Sequence, residues 1–138
     1  MDFKTFLKKH STINSKFLDD FYEIINEKHI AKYYDFIIDG ENLRKILKIK
    51  NRENFLITLK RSYVKNIDYK IYYKKKTEGS GGHNFKIIML TPKASRKFCL
   101  LTHSPMRAPV QQYFLELEII LYKYKNYIID GLNKHKTT

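Results

Sequence analysis

The chain is poor in cysteine, in acidic residues and in long apolar runs, and each shortage closes off a class of protein. Cys99 is the single cysteine in 138 residues, so neither a disulfide framework nor a cysteine-based zinc site can form within one chain. It falls among apolar residues of an expected helix and reads as a small core side chain. No apolar stretch approaches the length that spans a bilayer, and Met1, Asp2, Phe3 and Lys4 do not begin a signal peptide. The expectation is an intracellular protein with no membrane partner. The histidines, His10, His29, His83, His103 and His135, stand singly without ligand spacing, so neither metal nor cofactor is expected. Gly79-Ser-Gly-Gly82 lacks the Lys-Ser/Thr ending of a phosphate-binding loop. Asp19 and Asp20 are neighbours on a helix and point apart, and His103 with Ser104 near Cys99 has no third orienting group. No enzyme and no small-molecule substrate is read from these residues.

What is present is apolar residue and positive charge. Hydrophobic residues make up 43% of the chain, enough to fold, and the length suits one domain with a single core. Lys and Arg number 27 against 14 Asp and Glu, a net charge of +13. That charge is uneven: 12 basic and 3 acidic residues give +9 over residues 41–76, against −1 over 1–40 and +5 over 77–138. A patch of this kind favours a polyanion, with nucleic acid ahead of an acidic membrane surface. The high Lys, Ile, Tyr and Asn usage also fits an AT-rich genome, which inflates the basic count without functional meaning.

The chain is organised around residues 38–90. Asp39 can cap a short helix whose Leu43, Ile46 and Leu47 share one face. Lys48-Ile-Lys-Asn51 breaks it, and Asn51 can cap a second helix to about Ser62 with an inner stripe of Phe55, Leu56, Leu59 and Tyr63. Its other side presents Asn54, Thr58 and Arg61, with Lys60 nearby. That face suits a helix in a DNA major groove; taken alone it fits an ordinary solvated surface equally well. The segment after it shifts the balance. Tyr69–Tyr73 and Phe85–Leu90 alternate like the strands of a hairpin, and Lys74, Lys75 and Lys76 root a tip that runs through glycines to Asn84. A hairpin after a helix–turn–helix is the arrangement of a winged helix, its tip lying along a phosphate backbone or in the minor groove.

On either side, Asp2 can cap a helix over 3–9, and Asn14 or Ser15 one to about Lys28 with an acidic outer face of Asp19, Asp20 and Glu23. Tyr33–Ile38 reads as a strand that can join the hairpin in a three-stranded sheet. Thr91 and Pro92 open a helix to Leu101. After a break at 103–109, a long helix runs from about Pro109 to Ile129. Its apolar residues Val110, Tyr113, Phe114, Leu117, Ile120, Leu121 and Tyr124 exceed what a small core should consume. A homodimer through this helix is therefore expected, with cover by the two N-terminal helices as the competing possibility. The fold class is α+β: a winged-helix-like helix–turn–helix, a small antiparallel sheet and a long C-terminal helix.

Ile38-Asp-Gly-Glu-Asn-Leu43, Glu53-Asn-Phe-Leu-Ile-Thr-Leu-Lys-Arg61 and Asp68 with Tyr69 resemble the first half of phage antirepressor domains. Met89-Leu-Thr-Pro-Lys-Ala94 and Tyr113-Phe-Leu-Glu-Leu-Glu118 resemble the second half. Residues 36–118 are thus similar to the antirepressor-like (MSV-type) domains of large eukaryotic DNA viruses, related to the KilA-N and Bro-N modules. The phage pattern has arginines before Tyr-Phe where this chain has Gln111 and Gln112, and residues 1–28 lie outside the shared region. The resemblance implies double-stranded DNA as partner and a regulatory role, in a host nucleus or cytoplasmic viral factory, with the virion as a further place. Asn54, Thr58 and Arg61 are expected at bases or adjacent phosphates. Lys48, Lys50, Arg52, Lys60 and Lys65 are expected on the backbone, and Lys74, Lys75 and Lys76 in the wing. The alternative is a structural or oligomerising protein that packages nucleic acid without sequence choice.

Overall fold

The computed structural model describes residues 1–75 and 84–136. In chain order these form α1 (Phe3–His10), α2 (Ser15–Ile24), a 3₁₀ turn (Glu27–Lys32), β1 (Ile38–Asp39), α3 (Gly40–Ile46), α4 (Arg52–Ser62), β2 (Tyr69–Lys75), β3 (Asn84–Leu90), α5 (Pro92–Leu101) and α6 (Arg107–Lys136). The fold is α+β, with a long C-terminal helix as expected. Side-chain oxygens set the starts of the first five helices. Asp2 accepts from the Thr5 N–H, Asn14 from Lys16 and Phe17, Asp39 from Glu41 and Asn42, Asn51 from Asn54, and Thr91 from Ala94. Each satisfies backbone donors that the helix leaves unpaired; such a cap is worth about 0.5–2 kcal/mol.

Most element boundaries fall within a residue or two of the sequence expectation, and three differ further. The second helix stops at Ile24 rather than Lys28, because Asn26 starts a new turn. Its Nδ2 donates to the Tyr22 carbonyl at 2.7 Å, its Oδ1 accepts from Lys28, and the His29 ring accepts from its N–H. The strand expected over 33–38 shrinks to Ile38–Asp39. Upstream, the Asp35 N–H bonds Lys32 and the Ile37 N–H bonds Asp35, while the Tyr33 carbonyl accepts from Lys93, so that backbone is used in turns and at α5. The last helix begins at Arg107 and continues through Gly131. An added Cβ at Gly131 would meet nothing within 4 Å, so no close approach requires a glycine there.

The sheet is antiparallel in the order β1-β3-β2, with Ile38 opposite Leu90 and Tyr69–Lys75 running opposite Leu90–Asn84. On its inner face Tyr69, Ile88 and Leu90 are buried, whereas Tyr73 and Lys86 further along are exposed. The hairpin therefore leaves the body as it proceeds toward its tip. Gly40 brings the start of α3 against this sheet: a Cβ there would lie 3.0 Å from the Ile88 carbonyl oxygen.

One apolar cluster joins the two halves. Leu43, Leu47, Phe55, Leu59, Tyr63 and Phe98 fill the space under α3, α4 and α5, and Phe3, Phe6, Leu7, Phe17, Leu18 and Phe21 face α6. Phe21 meets Tyr113 edge to face with centroids 4.7 Å apart, and Phe3 and Phe6 meet Tyr124 at 5.4 and 5.1 Å. The buried Tyr113 hydroxyl donates to the Ile25 carbonyl at 2.8 Å. The stripe assigned to a dimer surface is thus covered within the chain: Val110, Tyr113, Leu117 and Ile120 are buried, and Phe114, Leu121 and Tyr124 pack on the core. Two aromatic-rich N-terminal helices supply the missing partner surface. Their acidic face is partly neutralised at the surface by α1, with Asp19 2.9 Å from Lys8 and Glu23 3.1 Å from Lys4. Among the described residues no helix is long and apolar enough to cross a membrane.

Candidate nucleic-acid interface

The turn between α3 and α4 is built by its own backbone and by one arginine. The Ile49 N–H bonds the Arg44 carbonyl at 3.1 Å and the Lys48 N–H bonds Lys45 at 3.0 Å, the paired closure that ends a helix on a left-handed residue. That residue is Lys48, with φ of 57°, a place usually taken by glycine. Arg44 locks the turn from below. Its Nη1 donates to the carbonyls of Ile49 at 2.7 Å and Lys50 at 3.3 Å, while Nε and Nη2 grip the Glu41 carboxylate. The arginine holds the Glu41 carboxyl below its ordinary range, and the carboxylate raises the guanidinium in turn. Lys48 and Lys50 are exposed on this fixed turn.

On α4, Phe55 and Leu59 are buried and Tyr63 closes the inner stripe, as their spacing indicates. Burial pushes the Tyr63 phenol up to about 12, and the Lys97 ammonium sits 5.2 Å over its ring. The outer face carries exposed Asn54, Lys60 and Arg61. Two features there escaped the sequence reading. Ile57 is exposed in the middle of the face, three residues after Asn54 and four before Arg61. Thr58 is half-buried and its hydroxyl donates to the Asn54 carbonyl at 2.9 Å, so that donor is used within its own helix. Arg52, assigned to the phosphate backbone, is partly engaged by the protein. Its Nη2 donates to the Lys86 carbonyl at 2.9 Å and its Nε lies 3.9 Å from Glu41.

That contact ties the start of α4 to the hairpin. Arg52, Lys74 and Lys86 stand around a cavity of about 330 Å³ whose acidic side is Asp39 and Glu41. Lys86 was not singled out from the sequence, although the strand register that places it opposite Tyr73 would have found it. Tyr72 and Tyr73 are exposed beside Lys74. Lys75 ends β2, and Lys76 with the glycine tip lies outside the described residues.

Lys65 sits in the turn that joins α4 to β2. Asp68 organises it by accepting from the Val64 N–H at 2.7 Å, the Asp68 N–H bonds Val64 at 2.8 Å, and Asn66 takes a left-handed φ of 69°. The Asp68 carbonyl in turn accepts from Thr91, which fixes this turn to the start of α5. The structure therefore gathers Arg52, Lys74 and Lys86 at one end of α4 and sets Lys65 beyond its other end. Lys48 and Lys50 precede α4 in the turn that feeds it.

Other chemistry is thinly represented. Among the described residues no group of three His, Cys, Asp or Glu is placed to hold a metal ion. Cys99 is buried, and burial raises its thiol well above the ordinary value. A larger hollow of about 730 Å³ lies between α2, the end of α3 and the start of α6. Its walls include Ile13, Phe17, Ile46 and Met106, with Lys16, Lys45 and Lys48 also lining it. No protein-family model, curated protein or solved structure matches the chain.

Proposed function

We propose that the chain is a double-stranded DNA-binding domain of winged-helix type, with α4 in the major groove and the β2–β3 hairpin as the wing. One observation carries this reading. Lys48, Lys50, Lys60, Arg61, Lys65 and Lys74 are exposed on one stretch of elements and have no ion-pair partner among the described residues. Unpaired cations on a rigid frame match the regular negative charge of a duplex backbone. The order β1, α3, α4, β2, β3 with the sheet order β1-β3-β2 supports the winged form. Asn54 and Arg61 are the groups for base edges, Asn suited to adenine and Arg to guanine. The exposed Ile57 suits the methyl group of thymine. The motif resemblance read in the sequence of residues 36–118 extends the proposal to a viral transcription regulator of antirepressor type, working by binding rather than catalysis.

A second reading, packaging without sequence choice, is favoured by one detail: the Thr58 hydroxyl gives its only donor to its own helix, which leaves Asn54, Lys60 and Arg61 as the exposed donors on that face of α4. Titration of random and selected duplexes across a salt series separates the two. Each phosphate neutralised contributes about −0.9 to the slope of log affinity against log salt. A slope of several units is expected, with Arg61→Ala relaxing sequence preference by roughly 1–3 kcal/mol and Lys74→Ala weakening all duplexes alike. Absence of duplex binding at low salt would overturn the proposal, and a uniform effect of Arg61→Ala would favour packaging.

A further inference from the structure

The α6 helix has a second face, turned away from the one that packs on α1 and α5. Val110, Tyr113, Leu117 and Ile120 mark the buried side. Leu115, Ile119, Tyr122 and Ile129 are 65%, 57%, 67% and 41% exposed, and Asn126 is exposed among them. At about 100° per residue these five fall on one stripe on the opposite side of the helix. Their spacing alternates four and three, which is a heptad seam with Ile119 and Asn126 at its a positions and Leu115, Tyr122 and Ile129 at its d positions.

We infer that a second copy of this chain occupies this seam as a parallel two-stranded coiled coil. The flanking charges select that occupant. Glu118 and Lys125 hold the g positions, and Lys123 and Asp130 the e positions five residues on; all four are exposed. In a parallel pair each g side chain meets the e side chain of the next heptad on the other helix. Glu118 then meets Lys123 of the second copy, and Lys125 meets its Asp130, with opposite charge in both pairs. Asn126 falls in a layer with its own copy, where two amides can hydrogen-bond across the seam and fix the register. An antiparallel pair would set Asn126 against Leu115. It would also draw on Glu116, which already accepts from the Ser11 hydroxyl and the Thr12 N–H. The helix is already held by its core face, so pairing does not require folding it first. Two heptads make a short coil, and association is expected to depend on concentration. The seam replaces the buried stripe as the dimer surface, and it stands apart from the DNA reading because its test contains no nucleic acid.

Sedimentation of the full chain from micromolar to millimolar concentration tests it. A monomer–dimer equilibrium is expected, abolished by Ile119→Asp with no fall in the unfolding midpoint, because that side chain is exposed. Glu118→Lys should weaken association roughly tenfold by setting like charges together, and adding Lys123→Glu should restore it. Ile129→Cys should oxidise to a covalent dimer, since a shared d layer brings the two thiols into disulfide reach, and the native Cys99 is buried. A monomer at every concentration, or a dimer indifferent to Ile119→Asp, overturns the inference. Rescue of Glu118→Lys by Lys125→Glu, with no cross-link at position 129, overturns the parallel arrangement.

Discussion

The helical scaffold of α1, α2 and α6 and the head of α3, α4 and the hairpin treat charge and backbone in opposite ways. In the scaffold, Lys4 and Lys8 are answered by Asp19 and Glu23, and ring-to-ring packing joins α1 and α2 to α6. In the head, Lys48, Lys50, Lys60, Arg61, Lys65 and Lys74 have no ion-pair partner among the described residues, while the effort goes into fixing backbone. Arg44 clamps one turn, Asp68 another, and Gly40 lets α3 close on β3. Exposed ion pairs contribute only about 0–1 kcal/mol, so the scaffold pairs are small terms in stability. What they do is cancel attraction for a polyanion over that surface. The contrast teaches where the molecule offers its charge and where it withdraws it.

The sharpest way to break the comparison is a scaffold mutation that spares the head. Phe21→Ala should lower stability by about 3–5 kcal/mol in denaturant unfolding, with duplex affinity per folded molecule unchanged; a matching fall in affinity would mean that the two regions act as one. Next comes Arg44→Ala, which removes two carbonyl contacts and the Glu41 pair at once. A loss of about 1–3 kcal/mol is expected, together with a larger loss of duplex affinity than for Lys45→Ala, an exposed lysine one position away. Equal effects of the two variants would show that the clamp does not place Lys48 and Lys50. Lys48→Gly should do the reverse to stability, adding about 0.5–1 kcal/mol by relieving the left-handed backbone. It should also make the salt slope shallower by about 0.9, one phosphate contact.

The smallest effect belongs to pH. Burial, opposed by Glu27, holds the His29 imidazole below its ordinary value of 6.5, and its neutral Nδ1 accepts from Asn26. The unfolded chain therefore takes up this proton more readily than the folded one. Stability from this group is fully present above pH about 6.5 and declines as pH falls below it. The melting temperature of the wild type relative to His29→Gln should drop between pH ~7.5 and ~5.5. A constant difference would remove His29 from the account.

Much of the fold was legible because caps and stripes are local signals. Asp39, Asn51 and Thr91 announce helices in four or five residues, and the Tyr69–Leu90 alternation announces a hairpin. Tyr33–Ile38 misled because an aromatic, β-branched run looks like a strand, while its hydrogen bonds go to turns and to Lys93. The fate of the α6 stripe was not legible, since periodicity says which side is apolar and not what covers it. At the candidate interface, the exposure of Asn54, Lys60 and Arg61 followed from spacing, and that of Ile57 did not. The turning of Thr58 onto its own helix and the reach of Arg52 to Lys86 depend on rotamers and on an approach between distant segments.

The hydrogen bonds that close the scaffold bear on how the chain folds. The Tyr124 hydroxyl donates to the carbonyl of Met1, Glu116 accepts from Ser11 and Thr12, and Tyr113 reaches Ile25, so the first elements are tied to the last. On the ribosome, α1 and α2 emerge early with their aromatic faces uncovered and must wait for α6 to be synthesised. The segment from β1 to α5 can assemble its own contacts in the meantime. Folding of these elements should therefore begin between β1 and α5, with the slow, non-local closure of α1 and α2 on α6 as the last step.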